Sequence, residues 1–285
     1  MDFTCDSNGV TFHGLKAFSL SQCLCCGQTF RWKPQGRGFD GVALGHAVYA
    51  EQNGEDLVLQ GVPETAAADF ARYFDLERDY AAIQASYIND PFLTEGVRYA
   101  DGLRVLRQPY FETLISFIIS ANNNVGRISR IVETLCERYG EPIEGGRTFP
   151  APGKLAALTA DELKTCGTGY RADYIIGTSR AICDGFDLNG VAAMPYEQAR
   201  EKLTALPGVG LKVADCVALY GMGFLSAFPL DVWMRRVICG VYHYSGRNDA
   251  DLRRFVDTTF GEYAGIAQQY LFHYARHHKE AVCER

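Results

Sequence analysis

The apolar positions along the chain change period once. Over the first ninety or so residues they alternate with polar ones, as in "QTFRWKP", "GFDGVAL", "AVYAEQ" and "LVLQGV", with Asn53-Gly54 between the last two runs. Alternation of period two interrupted by Asn-Gly predicts strands joined by a tight turn, and hence an antiparallel meander. After "NDPF" the spacing becomes helical: Leu114, Phe117, Ile118 and Ala121 fall at i, i+3, i+4 and i+7, and Ile128, Ile131, Val132, Leu135 and Tyr139 continue such a stripe up to Gly140. Side chains at those intervals share one face of a helix, and the glycine marks its stop. "TADE" at 159–162 has capping-box spacing, Gly167 closes that short helix, and Pro195 suits the first turn of another. "EYAGIAQQYLFHYARHHK" predicts a final helix that buries Ile266, Ala267, Tyr270 and Tyr274 and sets Gln268 above Phe272. The expected fold class is α+β, an antiparallel β-sheet lobe over 1–95 followed by an all-helical lobe over 96–285.

Composition narrows the function classes. With 285 residues, 47% hydrophobic and 22% charged, the chain can bury a sizeable core and is unlike a disordered segment. A net charge of −6 excludes a broad basic field, so a polyanion would have to be held by a few placed groups. The basic groups present are Arg127 with Arg130, Arg235 with Arg236, Arg253 with Arg254, and "RHHK" at 276–279, each of which alone reads as a solvated helix face. No basic stretch leads into an apolar one at the start, and the longest apolar run, around "LISFIIS", is far short of a membrane span. The expectation is a soluble, intracellular, monomeric protein with reduced cysteines. "CLCC" (Cys23, Cys25, Cys26) lacks further ligands at zinc spacing, and His273 with His277 lacks the glutamate of a zinc-protease helix, so neither metal nor cofactor is expected.

"LPGVGLKVADCVALY" at 206–220 carries the chemistry. A Pro-Gly-x-Gly turn between two helices is a helix-hairpin-helix, spanning about 196–222. Gly208 and Gly210 are expected to supply positive φ and close backbone approach, and the amides opening the next helix form a phosphate site that grips DNA without reading sequence. A P-loop is excluded, because Leu211 and Val213 stand where that motif needs glycine and a hydroxyl. Lys212 sits in the helix's first turn, at the positive end of the dipole, which disfavours an ammonium and favours a nucleophilic amine. Its other use would be reaching to a phosphate. Asp231, in "AFPLDVWMRR", suits an N-cap, and with Lys212 it would pair a nucleophile with an anion for an oxocarbenium-like centre.

The stretch "LPGVGLKVADCVALYGMGFLSAFPLDVWMRR", with "GQTFRW" at 27–32, "SFIISANNNVGRISRIVETLCERYG" at 116–140, "GYRADY" at 169–174 and "YAGIAQQYLF" at 263–272, resembles the 8-oxoguanine DNA glycosylases of the eukaryotic type, within the helix-hairpin-helix Gly/Pro-Asp superfamily. The resemblance covers nearly the whole chain. It implies a bifunctional glycosylase and lyase, without cofactor, that extrudes 8-oxoguanine lying opposite cytosine in duplex DNA. Carried over, Lys212 attacks C1′ and forms a Schiff base, and Asp231 stabilises charge at the sugar. Gly27 supplies a carbonyl for the N7 proton, Gln268 contacts the Watson–Crick edge, and Phe272 and Cys216 flank the base. Without the resemblance, Gly27 reads as a strand-start turn, Phe272 and Cys216 as core residues and Gln268 as a surface amide. Asn122, Arg127, Tyr170 and Arg171 correspond to the elements that fill the gap and read the opposite cytosine. Gly208, Gly210, Val213 and Trp233 correspond to DNA-backbone contacts.

Trp233 replaces a histidine and Tyr220 a methionine of the best-known members. The rival readings are a related glycosylase with another damaged-base preference and a non-catalytic DNA-binding hairpin. Iron–sulfur members carry four clustered C-terminal cysteines, where this chain has Cys283; a bare binding module leaves Lys212 with Asp231, and Gln268 with Phe272, without a role. The resemblance places the protein on the nucleoid of a prokaryotic cytoplasm or in a eukaryotic nucleus.

Overall fold

The computed structural model describes residues 1–280; Cys283 lies outside them. Six strands, β1 (Phe3–Cys5), β2 (Gly9–Phe12), β3 (Trp32–Gln35), β4 (Gly38–Ala43), β5 (His46–Asn53) and β6 (Asp56–Gln60), form one antiparallel sheet in the order β1-β2-β6-β5-β4-β3. The meander expected from alternation is β3 to β6. Its last hairpin pairs Asn53 with Asp56, and Gly54 takes φ +63° in the turn. Strands β1 and β2 extend the sheet beyond that expectation. All three residues of β1 are exposed, so it has no buried face to write into the sequence.

The strand-like reading of the first ninety residues fails at two places. Helix α1 (Leu20–Cys25), capped by Ser19, interrupts the sheet, and its six residues are too few to declare a period. After Gln60 the chain is helical: α2 (Ala67–Tyr73), α3 (Tyr80–Ser86) and α4 (Pro91–Tyr99). Ala67, Phe70, Ala71 and Phe74 fall at i, i+3, i+4 and i+7, are all buried, and pack under the sheet with Val48, Ala50, Leu57 and Leu59.

The helical lobe continues with α5 (Tyr110–Ser120) and α6 (Val125–Tyr139), a small hairpin of β7 (Pro142–Ile143) and β8 (Gly146–Arg147), and α7 (Pro152–Ala156), α8 (Ala160–Lys164), α9 (Ala172–Cys183) and α10 (Leu188–Ala192). It closes with α11 (Tyr196–Thr204), α12 (Leu211–Val217), α13 (Val232–Gly240), α14 (Asp249–Phe260) and α15 (Ala264–His277). Short polar side chains set the starts: Asp79, Asp90, Asn124, Thr159, Asp187, Asp231 and Asn248 each accept a first-turn amide. Thr159 and Glu162 complete the capping box reciprocally.

The two lobes are joined through buried polar groups. The Gln28 side chain donates to the carbonyls of Cys23 (2.9 Å) and Arg104 (2.8 Å) and accepts from the Leu106 amide (2.9 Å). Arg104 in turn donates to the carbonyls of Lys16, Ala17, Asp75 and Arg78. Buried donors and acceptors so matched fix the backbone around them, and Gly27 is next to Gln28. The nine described cysteines are free thiols. Burial pushes Cys23 and Cys26 up to about 12, which makes them inert core groups. Among the described residues, no helix is long and apolar enough to cross a membrane, and no cluster of His, Cys, Asp and Glu could hold a metal ion.

Candidate active site

The hairpin joins α11 to α12, and its glycines differ from expectation. Gly208 takes φ +76°, and a Cβ there would lie 2.6 Å from the Cβ of Tyr174, so both conformation and space require glycine. Gly210, the N-cap of α12, is extended at φ −86°, and nothing lies within 4 Å of where its Cβ would be. Positive φ is therefore needed only at Gly208, because one left-handed residue suffices to reverse the chain. Gly210 instead keeps the face before α12 bare. No side chain caps this helix, and the first internal bond runs from the Ala214 amide to the Gly210 carbonyl (2.9 Å), which leaves the amides of Leu211, Lys212 and Val213 as donors. The Val213 side chain itself is buried, so only its backbone can serve a phosphate.

Lys212 projects from the first turn of α12 towards the end of α5. Its Nζ donates to Ser120 Oγ (3.0 Å) and lies 5.0 Å from the centroid of the Phe117 ring. Cys216, one turn on, is buried, and that burial holds its thiol up at about 12; the Lys212 charge opposes the shift, whereas Asp215 and Asp231 add to it. Lys212 and Asp231 are thus both felt at one thiol, although they begin different helices. Asp231 caps α13, accepting the Met234 amide at 2.8 Å with one oxygen. Asp215 faces away into a buried cluster with Arg200 (2.7 Å), Arg253 (3.1 Å) and Tyr196 (2.6 Å), which ties α11, α12 and α14 together.

A second group of residues meets this one through Phe117. The Tyr220 ring stacks on Phe117 at 5.3 Å and 17°. Its hydroxyl lies 2.5 Å from Gln269 Oε1 and 3.3 Å from Gln268 Oε1. Gln268 is buried, not a surface amide. Gln269 donates to the Cys26 carbonyl (3.4 Å), which draws the Gly27 turn against α15. Gly27 has φ +90°, and a Cβ on it would meet Arg276 Nη1 at 3.0 Å, Val125 Cγ2 at 3.3 Å and Phe272 Cε1 at 3.7 Å. The structure therefore sets Gly27 against Phe272, with Gln268 one turn earlier on the same helix, and links Gln268 through Tyr220 and Phe117 to Lys212. A cavity of about 220 Å³ opens on the other flank of Lys212, lined by Leu211, Leu230, Arg235 and Tyr244, and holds none of Gly27, Gln268 and Phe272.

The third group forms a rim. Asn122 is exposed at φ +48°, a conformation asparagine tolerates, at the tip of the loop between α5 and α6. Arg127 is exposed on the first turn of α6. Tyr170 is 54% exposed on the turn before α9. Arg171 is buried: its guanidinium donates to the carbonyls of Ala121 (2.9 Å through Nε), Asn122 (3.2 Å) and Thr168 (3.3 Å). It acts here as the clamp that holds the Asn122 loop. Trp233, in the first turn of α13, carries two cations over its ring, the Arg236 guanidinium at 5.0 Å and the Lys279 ammonium at 5.7 Å from the centroid, so it is a cation-bearing platform. Sequence spacing gives no signal for Ser120 or Gln269, and Arg276, expected with "RHHK" on a solvated face, instead buries Nη1 and lies over Phe272. Arg276 had a signal, since it follows Gln268 and Phe272 at the same four-residue interval.

A helix-hairpin-helix with an amine in the first turn of its second helix, followed by an aspartate that caps the next helix, is the arrangement of the Gly/Pro-Asp class of base-excision DNA glycosylases, and comparison with known families places the chain in that class. Residues 12–114 match the family model described as 8-oxoguanine DNA glycosylase, N-terminal domain, and residues 115–256 that of the HhH-GPD superfamily base excision DNA repair protein. The chain is 35% identical over 240 residues to a probable N-glycosylase/DNA lyase of Methanothermobacter thermautotrophicus, covering 75% of this chain and 77% of that one. It is 34% identical over 272 residues to the N-glycosylase/DNA lyase of Arabidopsis thaliana, covering 86% and 74%. The Clostridium acetobutylicum 8-oxoguanine glycosylase/lyase, solved with double-stranded DNA containing cytosine opposite 8-oxoguanine, superposes with a TM-score of 0.92 at 34% identity, over 98% of this chain and 100% of that one. The protein belongs to the 8-oxoguanine DNA glycosylase family of bifunctional N-glycosylase/DNA lyases.

Proposed function

We propose that the protein excises 8-oxoguanine lying opposite cytosine in duplex DNA and then cleaves the strand. The observation that carries this reading is the Lys212 amine, held by Ser120 and laid over Phe117, whose ring stacks on Tyr220, the tyrosine whose hydroxyl reaches Gln268. The target nucleotide must leave the stack, since its C1′ is otherwise out of reach. The Lys212 nitrogen, as free amine, bonds to C1′ as the C1′–N9 bond breaks, and the base departs with the electron pair and takes up a proton. The C1′–O4′ bond of the resulting N,O-acetal breaks, O4′ taking a proton, to give a Schiff base; loss of a C2′ proton expels the 3′ phosphate, and hydrolysis of the imine restores the lysine. Asp231 balances positive charge at the sugar during the first step.

The stretch 1–95 contributes Gly27, whose carbonyl accepts the N7 proton found in 8-oxoguanine and absent from guanine; 96–285 contributes the other groups. Gln268 engages the Watson–Crick edge, and Phe272 and Cys216 enclose the ring. Gly208, Gly210, the Val213 amide and Trp233 hold phosphates. Tyr170 and Asn122 occupy the gap, and Arg127, with Arg171 if it leaves its carbonyls, reads the estranged cytosine. One chain carries every group named, and the place of action is wherever chromosomal DNA lies, nucleoid or nucleus.

Borohydride trapping on a duplex with one 8-oxoguanine opposite cytosine tests this, with an undamaged duplex and the Lys212→Gln variant as controls. A covalent adduct requiring both the lesion and Lys212 is expected. A folded, DNA-binding wild type that gives no adduct would overturn the lysine mechanism.

A further inference from the structure

Arg276 occupies the last turn of α15, one turn beyond Phe272 and two beyond Gln268. Its guanidinium carbon lies 5.5 Å from the centroid of the Phe272 ring, and Nη1 lies 3.0 Å from the position a Gly27 Cβ would take. That Nη1 is buried and has no hydrogen-bond partner, and among the described residues no carboxylate comes within ion-pair distance of the group. A buried charged donor without an acceptor is costly, and natural structures retain one where something else supplies the acceptor.

We infer that Arg276 is a specificity-determining residue whose Nη1 donates to an exocyclic oxygen of the extruded oxidised purine. The inference rests on the base site proposed above. There, Gly27, whose carbonyl is the proposed acceptor, and the Arg276 donor stand next to each other. The base offers the matching pair: its N7–H donor is flanked by O8 on one side and O6 on the other. A guanidinium N–H beside the carbonyl that takes N7–H reaches one of those oxygens, completing a two-point reading of the oxidised edge. The cation–π contact meanwhile keeps the arginine on the outer part of Phe272 until the base arrives. The same N–H chemistry could instead serve a DNA phosphate, and substrates with and without the base separate the two.

The experiment compares wild type, Arg276→Met, which keeps an apolar stem against Phe272, and Arg276→Lys. Each is measured in single turnover on a duplex with 8-oxoguanine opposite cytosine and on one with a preformed abasic site, with melting temperatures to check folding. Base release by Arg276→Met is expected to fall roughly tenfold to a hundredfold, the effect of one charge-assisted hydrogen bond, while cleavage at the abasic site stays at the wild-type rate and Arg276→Lys recovers part of the loss. Unchanged base release by Arg276→Met would overturn the inference, and so would an equal fall on both duplexes, which would assign the group to a phosphate or to folding. A wild type that cuts abasic sites and leaves 8-oxoguanine in place would overturn the proposed substrate together with this inference. That pattern differs from a failure confined to the Arg276 variants.

Discussion

The Tyr220 hydroxyl donates to the side-chain oxygen of Gln269 across 2.5 Å, with the Gln268 oxygen 3.3 Å away. A tyrosine on the segment following α12 thereby holds two consecutive glutamines of α15, Gln268, assigned above to the base, and Gln269, tied to the Cys26 carbonyl beside Gly27. Methionine, which the resemblance leads one to expect at 220, has no donor for either oxygen. Tyr220→Phe keeps the stack on Phe117 but leaves buried acceptors without their donor, at a cost of about 1–3 kcal/mol. The expected result is a lowered melting temperature and weaker capture of lesion DNA, with the borohydride adduct still formed at saturating enzyme. Tyr220→Phe indistinguishable from wild type in both assays would remove the positioning role.

The two hairpin glycines should separate fold from binding. Gly208→Ala puts a Cβ at positive φ and against Tyr174, so the conformational penalty alone, about 1–2 kcal/mol, is joined by a clash that displaces α9 from the hairpin. Gly210→Ala meets open space in an extended conformation and costs at most about 1 kcal/mol as a poorer N-cap. Thermal melts should therefore rank Gly208→Ala well below Gly210→Ala. Gly210→Ala, near wild type in stability, should lose affinity for undamaged and damaged duplex alike, because a methyl group would stand on the bare face before α12. A Gly210→Ala protein that binds DNA as tightly as wild type would show that no phosphate approaches there.

What could be read from the chain followed from how local each signal is. The hairpin, the capping box, the stop at Gly140 and the pairing of Gln268 with Phe272 are relations among residues a few positions apart, and the structure holds all of them. Ser120 and Lys212 are 92 positions apart, and Gln269 and Cys26 are 243 apart. No spacing rule connects such residues; only the docking of α12 on α5 and of the Gly27 turn on α15 does. The positive φ expected at Gly210 is absent for a different reason. A glycine is equally consistent with a positive φ and with a need for bare backbone, and letters alone do not separate these uses. The small helix α1 and the all-exposed β1 were illegible because neither is long or one-sided enough to impose a period.

Stability should depend on pH through His273. Burial pushes its imidazole down from 6.5 to about 4, reinforced by the charges of His277 and Arg276. Nε2 lies 2.9 Å from Gln22 Oε1, whereas Nδ1 is buried without a partner, so a proton added there would have no acceptor. The folded-state value is depressed for a base, so between about 4 and 6.5 the unfolded chain binds more proton than the folded one. Stability is then complete above 6.5 and is lost as pH falls through that window, by at most roughly 3 kcal/mol from this group. Melting temperature measured from pH 7.5 down to 4.5 should drop more steeply for wild type than for His273→Gln. Parallel curves would place the acid sensitivity elsewhere.

Arg127 and Arg171 should part company when the opposite base is varied. Arg171 is buried and spends its donors on Ala121, Asn122 and Thr168, so removing it frees three carbonyls and loosens the loop that presents Asn122. Arg171→Ala is therefore expected to lower melting temperature and to slow excision opposite every base by a similar factor. Arg127 is exposed on the first turn of α6, beside that loop. Its guanidinium can donate to the acceptors of cytosine and finds a mismatched partner in adenine, a difference of about 1–3 kcal/mol for a well-placed contact. Arg127→Ala should thus leave the melt unchanged while reducing the preference for cytosine over adenine by roughly ten- to a hundredfold. Single-turnover rates with 8-oxoguanine opposite each of the four bases, for both variants, decide the matter. Equal slowing opposite all four bases by Arg127→Ala would make it a phosphate contact, and a selective loss by Arg171→Ala would mean that its guanidinium leaves the loop carbonyls when DNA binds.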